Sequence, residues 1–385
     1  MNGVATAVFE NINITGTIAD NGIVGINVSN FQLNNSLITG AGNGAHESGI
    51  EFTNLSGTSS LTNTEIALSE TNSLDIVNTD VNLNLTLNNV IFRDTQSSAI
   101  GEGGLQFRSF SVAAGTPTTN IDVIDSDFLR LLTQGIQIVG EDDSIVNVDI
   151  VNNVIDSQAG LGAGIDINGN DTATVNFNVN GNTIQSREGH GINITSFLDS
   201  NVMGRANGNT ITANVIGAGL RFIAQETSNM IVEARNNNVT LAAGSTANYA
   251  VEAQARFNTA RLDITLDNNN IQSTAAQVAD IGITSGSSTA GESNQVYADI
   301  RNNDILAGGP TTQLRLRVSD LSNTNRLFLT GFVEGGAGLD DDAIATWNAK
   351  GNTPTATTAN INVSLTGTAV APSAGTALTP TNPVP

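Results

Sequence analysis

Apolar residues recur along this chain in short alternating runs, and the runs themselves recur. Gly135 opens GIQIVG, Gly164 opens GIDING, Gly191 opens GINITS and Gly219 opens GLRFIA, at steps of 29, 27 and 28 residues. Offsets 1 and 3 from each opening residue are apolar: Ile136 and Ile138, Ile165 and Ile167, Ile192 and Ile194, Leu220 and Phe222. Offsets 11, 13 and 15 alternate again, as Val146, Val148 and Ile150, then Val175, Phe177 and Val179. The next two units place Val202, Gly204 and Ala206, then Met230, Val232 and Ala234, at the same offsets. Alternation at period 2 predicts strands with one buried face. Extended outward, the opening position falls on Gly3, Gly25, Gly49, Ser73 and Gly104, and on Ala250, Gly282, Gln313 and Ala343. The count is thirteen units of 22 to 32 residues.

Offset 18 is asparagine in the four central units: Asn153, Asn182, Asn209 and Asn237. By parity it points inward at a turn. Asparagine tolerates left-handed backbone and bonds nearby backbone groups, and stacked copies can bond one another. Asn269 and Asn303 continue the row at offsets 19 and 21. One unit cannot bury its apolar face alone, so neighbours must stack into a shared core. The fold class expected is all-β, a right-handed single-stranded parallel β-helix of about thirteen coils over residues 1–366. Residues 367–385, rich in Pro and Thr, read as a tail or linker. The segment from Leu339 onward, with Trp347 as its one large apolar anchor, is expected to cover the open strand edges at the end of the stack.

The Gly-Ile-x-Ile and Asn-x-Ile rows resemble the right-handed β-helices of the pectate-lyase-like superfamily and of bacterial surface passenger domains. The resemblance covers most of residues 1–366 and implies the fold. It leaves function open, since the superfamily holds lyases, hydrolases, tailspikes and adhesins.

Composition narrows the partners. The net charge of −22, from 36 acidic against 14 basic residues, opposes nucleic acid and anionic lipid. No apolar run is long enough for direct membrane insertion. The absence of cysteine removes thiolate chemistry and favours an extracellular or cell-surface location. The sequence opens without a signal-peptide pattern, so an export signal would lie outside it. Lys350 is the single lysine, which limits lysine chemistry to one position.

Offset 2 marks the outward side of the first strand, where β-helix enzymes hold sugars. It reads Asn27, Glu51, Asp75, Gln106, Gln137, Asp166, Asn193, Arg221, Glu252, Thr284 and Arg315. The members from Glu51 to Glu252 form the candidate glycan or partner face, with Glu51–Asp75 as a possible acid pair and Arg221–Glu252 as an ion pair. No aromatic residue belongs to the strip. A solvated sheet face has the same composition, and no catalytic residue is assigned.

Gly189-His190-Gly191 resembles the histidine motif of polygalacturonase-like hydrolases and implies His190 as the match. The acidic pair that should precede Gly164 is missing, and Arg221 lacks the lysine that should follow. Hydrolysis needs two carboxyls about 5–9.5 Å apart, so His190 reads as a solvated corner. No cofactor is expected. Calcium has one weak signal, GGAGLDDD at 335–342, which matches six positions of a calcium-binding nonapeptide in a single copy. An acidic loop is the plainer reading. His46 and His190, the only histidines, lie far apart.

Two functions follow. The first is a structural or adhesive surface passenger or stalk that presents loops, such as 109–120 and 286–295, to other surface proteins or glycans. The ends of its stack would favour end-to-end or side-by-side self-association. The alternative is a carbohydrate-active β-helix enzyme or glycan-binding tailspike. Convergence of several carboxylates on the first-strand face would separate the two.

Overall fold

A computed structural model describes residues 1–380 apart from 45–46, 98–101, 114, 159–161, 275, 288, 307, 321–323, 334, 336–337, 355–360 and 368–370. His46 lies outside the described residues. The chain forms two compact units, Met1–His190 (unit 1) and a second from Gly191 onward (unit 2). It is a parallel β-solenoid of about ten turns.

Each unit is built the same way, every coil placing one strand in each of three parallel sheets, A, B and C. In unit 1, Gln134–Gly140, Ile145–Val151 and Val154–Ser157 form one coil, with Ile165–Gly169, Thr174–Asn180 and Thr183–Ser186 stacked on it. Their registers pair like with like: Ile136 with Ile165, Val146 with Val175, Ile155 with Ile184. In unit 2, Leu220 pairs with Val251, Met230 with Leu262 and Val239 with Ile271. The inward members of these rows are almost wholly buried. Burial of each such side chain is worth roughly 1.5–3 kcal/mol, realised only because the neighbouring coil closes over it. Phenylalanines pack edge-on down the unit 1 core, Phe31 on Phe52 at 4.8 Å and Phe92 on Phe128 at 5.0 Å.

The opening glycines are a steric requirement. A Cβ on Gly135 would lie 2.4 Å from Ile155 Cγ2, and one on Gly219 would lie 2.3 Å from Val239 Cγ1. The sheet A strand starts where the inward sheet C residue comes closest, and only hydrogen fits there. At the other corner, the residue preceding each inward asparagine takes the left-handed backbone: Asn152, Gly181, Gly208, Asn236, Asn268 and Asn302 have φ between 54° and 67°. The inward asparagine therefore does not make the turn itself. Its neighbour turns the chain, and its own side chain is free to stack.

Several sequence expectations change. The thirteenth unit is absent as a coil: Ala343 lies in the helix α1, Leu339–Ala349. Two opening positions shift. Ile23 pairs with Ile50, so Gly22 rather than Gly25 matches Gly49, and Val24 rather than Asn27 faces Glu51. Ile281 pairs with Val251, so Asp280 rather than Gly282 opens its coil, and Gly282 faces Glu252.

The C-terminal segment is more than a linker. Ser373–Ala374 pairs with Phe328 and Leu329 in sheet B. Beyond it, Leu378 N donates to Asp263 Oδ1 at 2.9 Å, and an Arg205 guanidinium nitrogen donates to the Pro380 carbonyl, also at 2.9 Å. Residues 371–380 thus lie across sheet B of unit 2, over several coils. Gly335 N donates to Asp342 Oδ1 at 2.8 Å, and Asp340, Asp341 and Asp342 form the first turn of α1. This helical turn occupies part of the loop read for calcium, whose residues 336 and 337 lie outside the described set.

Candidate functional site

In unit 1 the outward strip of sheet A runs in direct register: Glu51 on Asp75, Asp75 on Gln106, Gln106 on Gln137 and Gln137 on Asp166. Successive rungs of a parallel stack are about 4.8 Å apart. Hydrogen bonds tie the rungs together. Gln106 Nε2 donates to Gln137 Oε1 at 3.0 Å, and Gln137 Nε2 donates to Asp166 Oδ2 at 3.3 Å.

A second row supports the first. Asn21 Nδ2 donates to Glu51 at 2.9 Å, Asn72 Nδ2 to Gln106 at 2.9 Å, and Gln134 Nε2 to Asp166 at 3.1 Å. Asn21, Asn72 and Gln134 all stand one residue before an opening position, and each reaches the strip residue of the following coil. Offset 2 alone does not reveal this row. Reading the residue ahead of each opening glycine would have found it.

Asp75 is the outlier. Its carboxyl is pushed up from 3.8 to about 6, first by burial and then by the charge of Glu51 on the adjacent rung. A hydrogen bond from Asn72 and the charge of Arg108 oppose the shift, while Glu102 adds to it. Asp75 Oδ1 and Glu102 Oε2 are buried without a hydrogen-bond partner. Arg108 pairs with Glu141 at 3.1 Å and lies over the Phe110 ring at 4.9 Å. Three carboxylates and one guanidinium therefore converge around Asp75 on an open sheet face. Glu102 and Arg108 were not legible from the strip: the first comes from the turn before the strand, the second lies two residues along it.

The paired folded and unfolded values give a pH prediction. A carboxyl held near 6 in the fold but near 3.8 when unfolded favours the folded chain only in its protonated form. Its ionisation costs nothing below about 3.8, weakens the fold increasingly between 3.8 and 6, and exerts its full penalty above 6. Asp75→Asn should therefore raise the melting temperature relative to the parent at pH 8 and leave it unchanged at pH 3.5. An equal change at both values would show that burial at Asp75 does not govern its ionisation.

In unit 2, Arg221 bridges its neighbours on the strip. It donates to Asn193 Oδ1 at 2.9 Å and to Glu252 Oε2 at 3.1 Å. Contrary to the aromatic-free reading, Tyr249 reaches this face from the preceding turn: a Cβ on Gly282 would lie 2.6 Å from the Tyr249 ring. The inward asparagines form hydrogen-bonded stacks within each unit. Asn153 Nδ2 donates to Asn182 Oδ1 at 3.0 Å in unit 1; in unit 2 the same bond joins Asn209 to Asn237, Asn237 to Asn269, and Asn269 to Asn303, and Asn352 ends the run.

His190 is half-buried, and its carbonyl accepts the Gly164 N–H at 2.9 Å. Lys350 is taken up by Asp299, at 3.0 Å. Among the described residues no group of three or more His, Asp or Glu side chains is placed to hold a metal ion.

No family model matches the chain, and no curated protein does. Among solved structures it is similar to the A-module of the mannuronan C-5 epimerase AlgE4 of Azotobacter vinelandii. That likeness has 11% identity and a TM-score of 0.37, covering 97% of this chain and 91% of the other. The strand registers, independently of that likeness, make this chain a parallel β-helix protein.

Proposed function

We propose that sheet A of unit 1 holds an extended polysaccharide along Glu51, Asp75, Gln106, Gln137 and Asp166, with Asp75 exchanging a proton with it. One observation carries this reading: Asp75 has a buried, unpartnered oxygen and a carboxyl raised to about 6, between Glu51 and Gln106. A group poised near neutral pH both gives and takes protons efficiently. The amide row from Gln106 to Asp166 offers ordered donors and acceptors for sugar hydroxyls. Arg108 supplies positive charge where a transition state would gather negative charge. The convergence of Glu51, Asp75 and Glu102 favours the carbohydrate-active alternative over a purely structural stalk.

The test is a panel of neutral and acidic polysaccharides, assayed for cleavage or other chemical change. Asp75→Asn should lower the rate at least about 100-fold while glycan binding persists. Full activity in that variant, or no chemistry and no binding on any member of the panel, would overturn the proposal.

A second reading keeps the chain as an extracellular surface passenger or stalk, with surface proteins or glycans as partners. The loop after the strand Gly103–Phe110 favours it: Val112 is 77% exposed, and its backbone N–H is held by Asp80 Oδ1 at 3.0 Å. An apolar side chain displayed on an anchored loop suits a protein contact. Shortening residues 111–117 should abolish attachment to a target surface under this reading, whereas Asp75→Asn should leave it intact.

A further inference from the structure

We propose that sheet A of unit 2 carries a binding site for an acidic polysaccharide, formed by Arg315 and Arg317 beside the ring of Tyr249, with Arg256 further along the same face. The site does not depend on proton exchange at Asp75.

Four of the five sheet B arginines of unit 2 are ion-paired, Arg326 instead donating to the Asn325 carbonyl at 2.9 Å, whereas three of the four on sheet A are not. On sheet B, Arg205, Arg235, Arg261 and Arg301 all form ion pairs, with Glu233, Asp263, Asp267 and Asp299 as partners. On sheet A, Arg221 is paired with Glu252. Among the described residues, Arg256, Arg315 and Arg317 have no carboxylate partner. The Nε atoms of Arg256 and Arg317 are buried and make no hydrogen bond. Arg317 otherwise bonds only Ser319 on its own strand, at 3.3 Å. A chain of net charge −22 has ample carboxylates to neutralise these groups, yet leaves them unpaired on one face.

Register places them together. Glu252 pairs with Gly282 and Gly282 with Arg315; Gln254 pairs with Thr284 and Thr284 with Arg317. Arg256 lies at the end of the Glu252 strand. Burial first, and then the charge of Arg221, lowers its affinity for a proton, while the charge of Glu252 opposes them. Arg256 stands two rungs from the Arg315 strand and, by register, two residues beyond Arg317 and four beyond Arg315, or ~12 and ~16 Å away between backbones. A compact anion fits one of them. A chain bearing anions at intervals fits all three.

Tyr249 specifies what that chain is. Gly282 has no side chain, and the Tyr249 ring occupies the space, with its atoms 2.6–2.7 Å from where a Cβ would stand. Arg315 Nη1 donates to the Tyr249 hydroxyl at 3.4 Å, which positions the ring beside the guanidinium. A half-buried ring lying against a sheet offers one flat apolar surface, suited to the C–H face of a pyranose. The flanking guanidinium forks match carboxylate or sulfate oxygens bidentately. Single-stranded nucleic acid stacks its bases on successive aromatic platforms, whereas this site offers one ring, so the anion-bearing polymer that fits is a saccharide.

Isothermal titration of the full chain with oligogalacturonate, chondroitin sulfate oligomers, neutral cello-oligomers and single-stranded DNA tests this. Carboxylated or sulfated oligomers should bind and weaken with added salt, and cello-oligomers should not. The relative affinities of the two acidic probes tell uronate from sulfate recognition. The double variant Arg315→Gln/Arg317→Gln should lose at least about 10-fold in affinity. Tyr249→Ala should weaken binding and Tyr249→Phe should retain it. Circular dichroism melts identify any variant that misfolds, and Arg256→Gln supplies an independent arm. The affinity of the arginine variants and the reaction rate of Asp75→Asn are separate readings, so failure at one site leaves the other standing. Absence of binding to both acidic oligomers, parent-like affinity in the arginine variants, or DNA binding as tight as saccharide binding would overturn the proposal.

Discussion

Asn237→Leu is expected to destabilise unit 2 by about 3–5 kcal/mol, several buried polar groups each losing a partner worth roughly 1–3 kcal/mol. Asn237 is fully buried and its side chain makes four hydrogen bonds. Its Oδ1 accepts from Asn209 N at 2.9 Å and Asn209 Nδ2 at 3.0 Å. Its Nδ2 donates to the Ala206 carbonyl at 2.8 Å and to Asn269 Oδ1 at 2.9 Å. Leucine keeps the branch at Cγ but is larger, so some overpacking adds to the polar loss. It takes an acceptor from two donors in one neighbouring coil and a donor from acceptors in both. Urea unfolding followed by circular dichroism would read the shift in midpoint. Asn236→Gly is the control, because Asn236 turns the chain at φ 54° and is exposed. Glycine adopts that backbone freely, and the change should stay within about 0.5 kcal/mol. Equal costs at 236 and 237 would show that the turn, not the stacked amide, holds the corner.

Trp347→Ala should cost about 3–5 kcal/mol, the usual range for emptying a buried aromatic site, and should also make the protein associate. Trp347 is 2% exposed. It packs with Ala298, Ile300, Leu314 and Leu329, inward residues of late coils in unit 2. Its indole N–H donates to the Pro354 carbonyl at 3.2 Å. Three residues past α1, Asn352 accepts from Asn303 N and Nδ2 at 2.9 and 3.0 Å and donates to the carbonyls of Ile300 and Trp347. The helix thus joins both the apolar core and the asparagine stack. In sheet A a further strand, Ile361–Gly367, pairs with Leu314–Asp320, so loosening the helix would chiefly bare core side chains at the end of unit 2, an apolar patch that invites association. Light scattering across a concentration series should show the variant growing in mass while the parent does not. A destabilised variant that stays monomeric at high concentration would make α1 a packing element and not a cover.

The two variants probe different parts of the same problem. A solenoid is stable only as a sum of neighbour contacts, so an internal defect weakens one interface, whereas a terminal defect exposes the last one. The C-terminal strand of residues 371–380 adds a third means of support. It ties rungs of unit 2 together through Asp263 and Arg205.

Much of this architecture was legible because its causes are local in the chain. Inward rows such as Ile165 and Ile167 follow from period-2 alternation, which any strand with one dry face must show. Asn153, Asn182, Asn209 and Asn237 stood out because the same short turn recurs at the same offset. Register failed where insertions changed coil length. Gly25 and Gly282 resemble opening glycines, yet pairing chose Gly22, three residues earlier, which reverses the outward side of that strand, and Asp280, two residues earlier, which keeps the face but changes which residues meet.

The sequence by itself determined the coil, its inward rows and the strip from Glu51 to Glu252, because each depends on backbone geometry within one repeat. Only the tertiary structure decided which polar groups meet. Glu102 and Arg108 reach Asp75, Asn72 reaches Gln106, Tyr249 covers Gly282, and residues 371–380 lie over sheet B. These meetings depend on how turns of unequal length project across neighbouring rungs. A carboxyl such as Asp75 acquires its altered proton affinity only when those neighbours and the surrounding burial remove it from water.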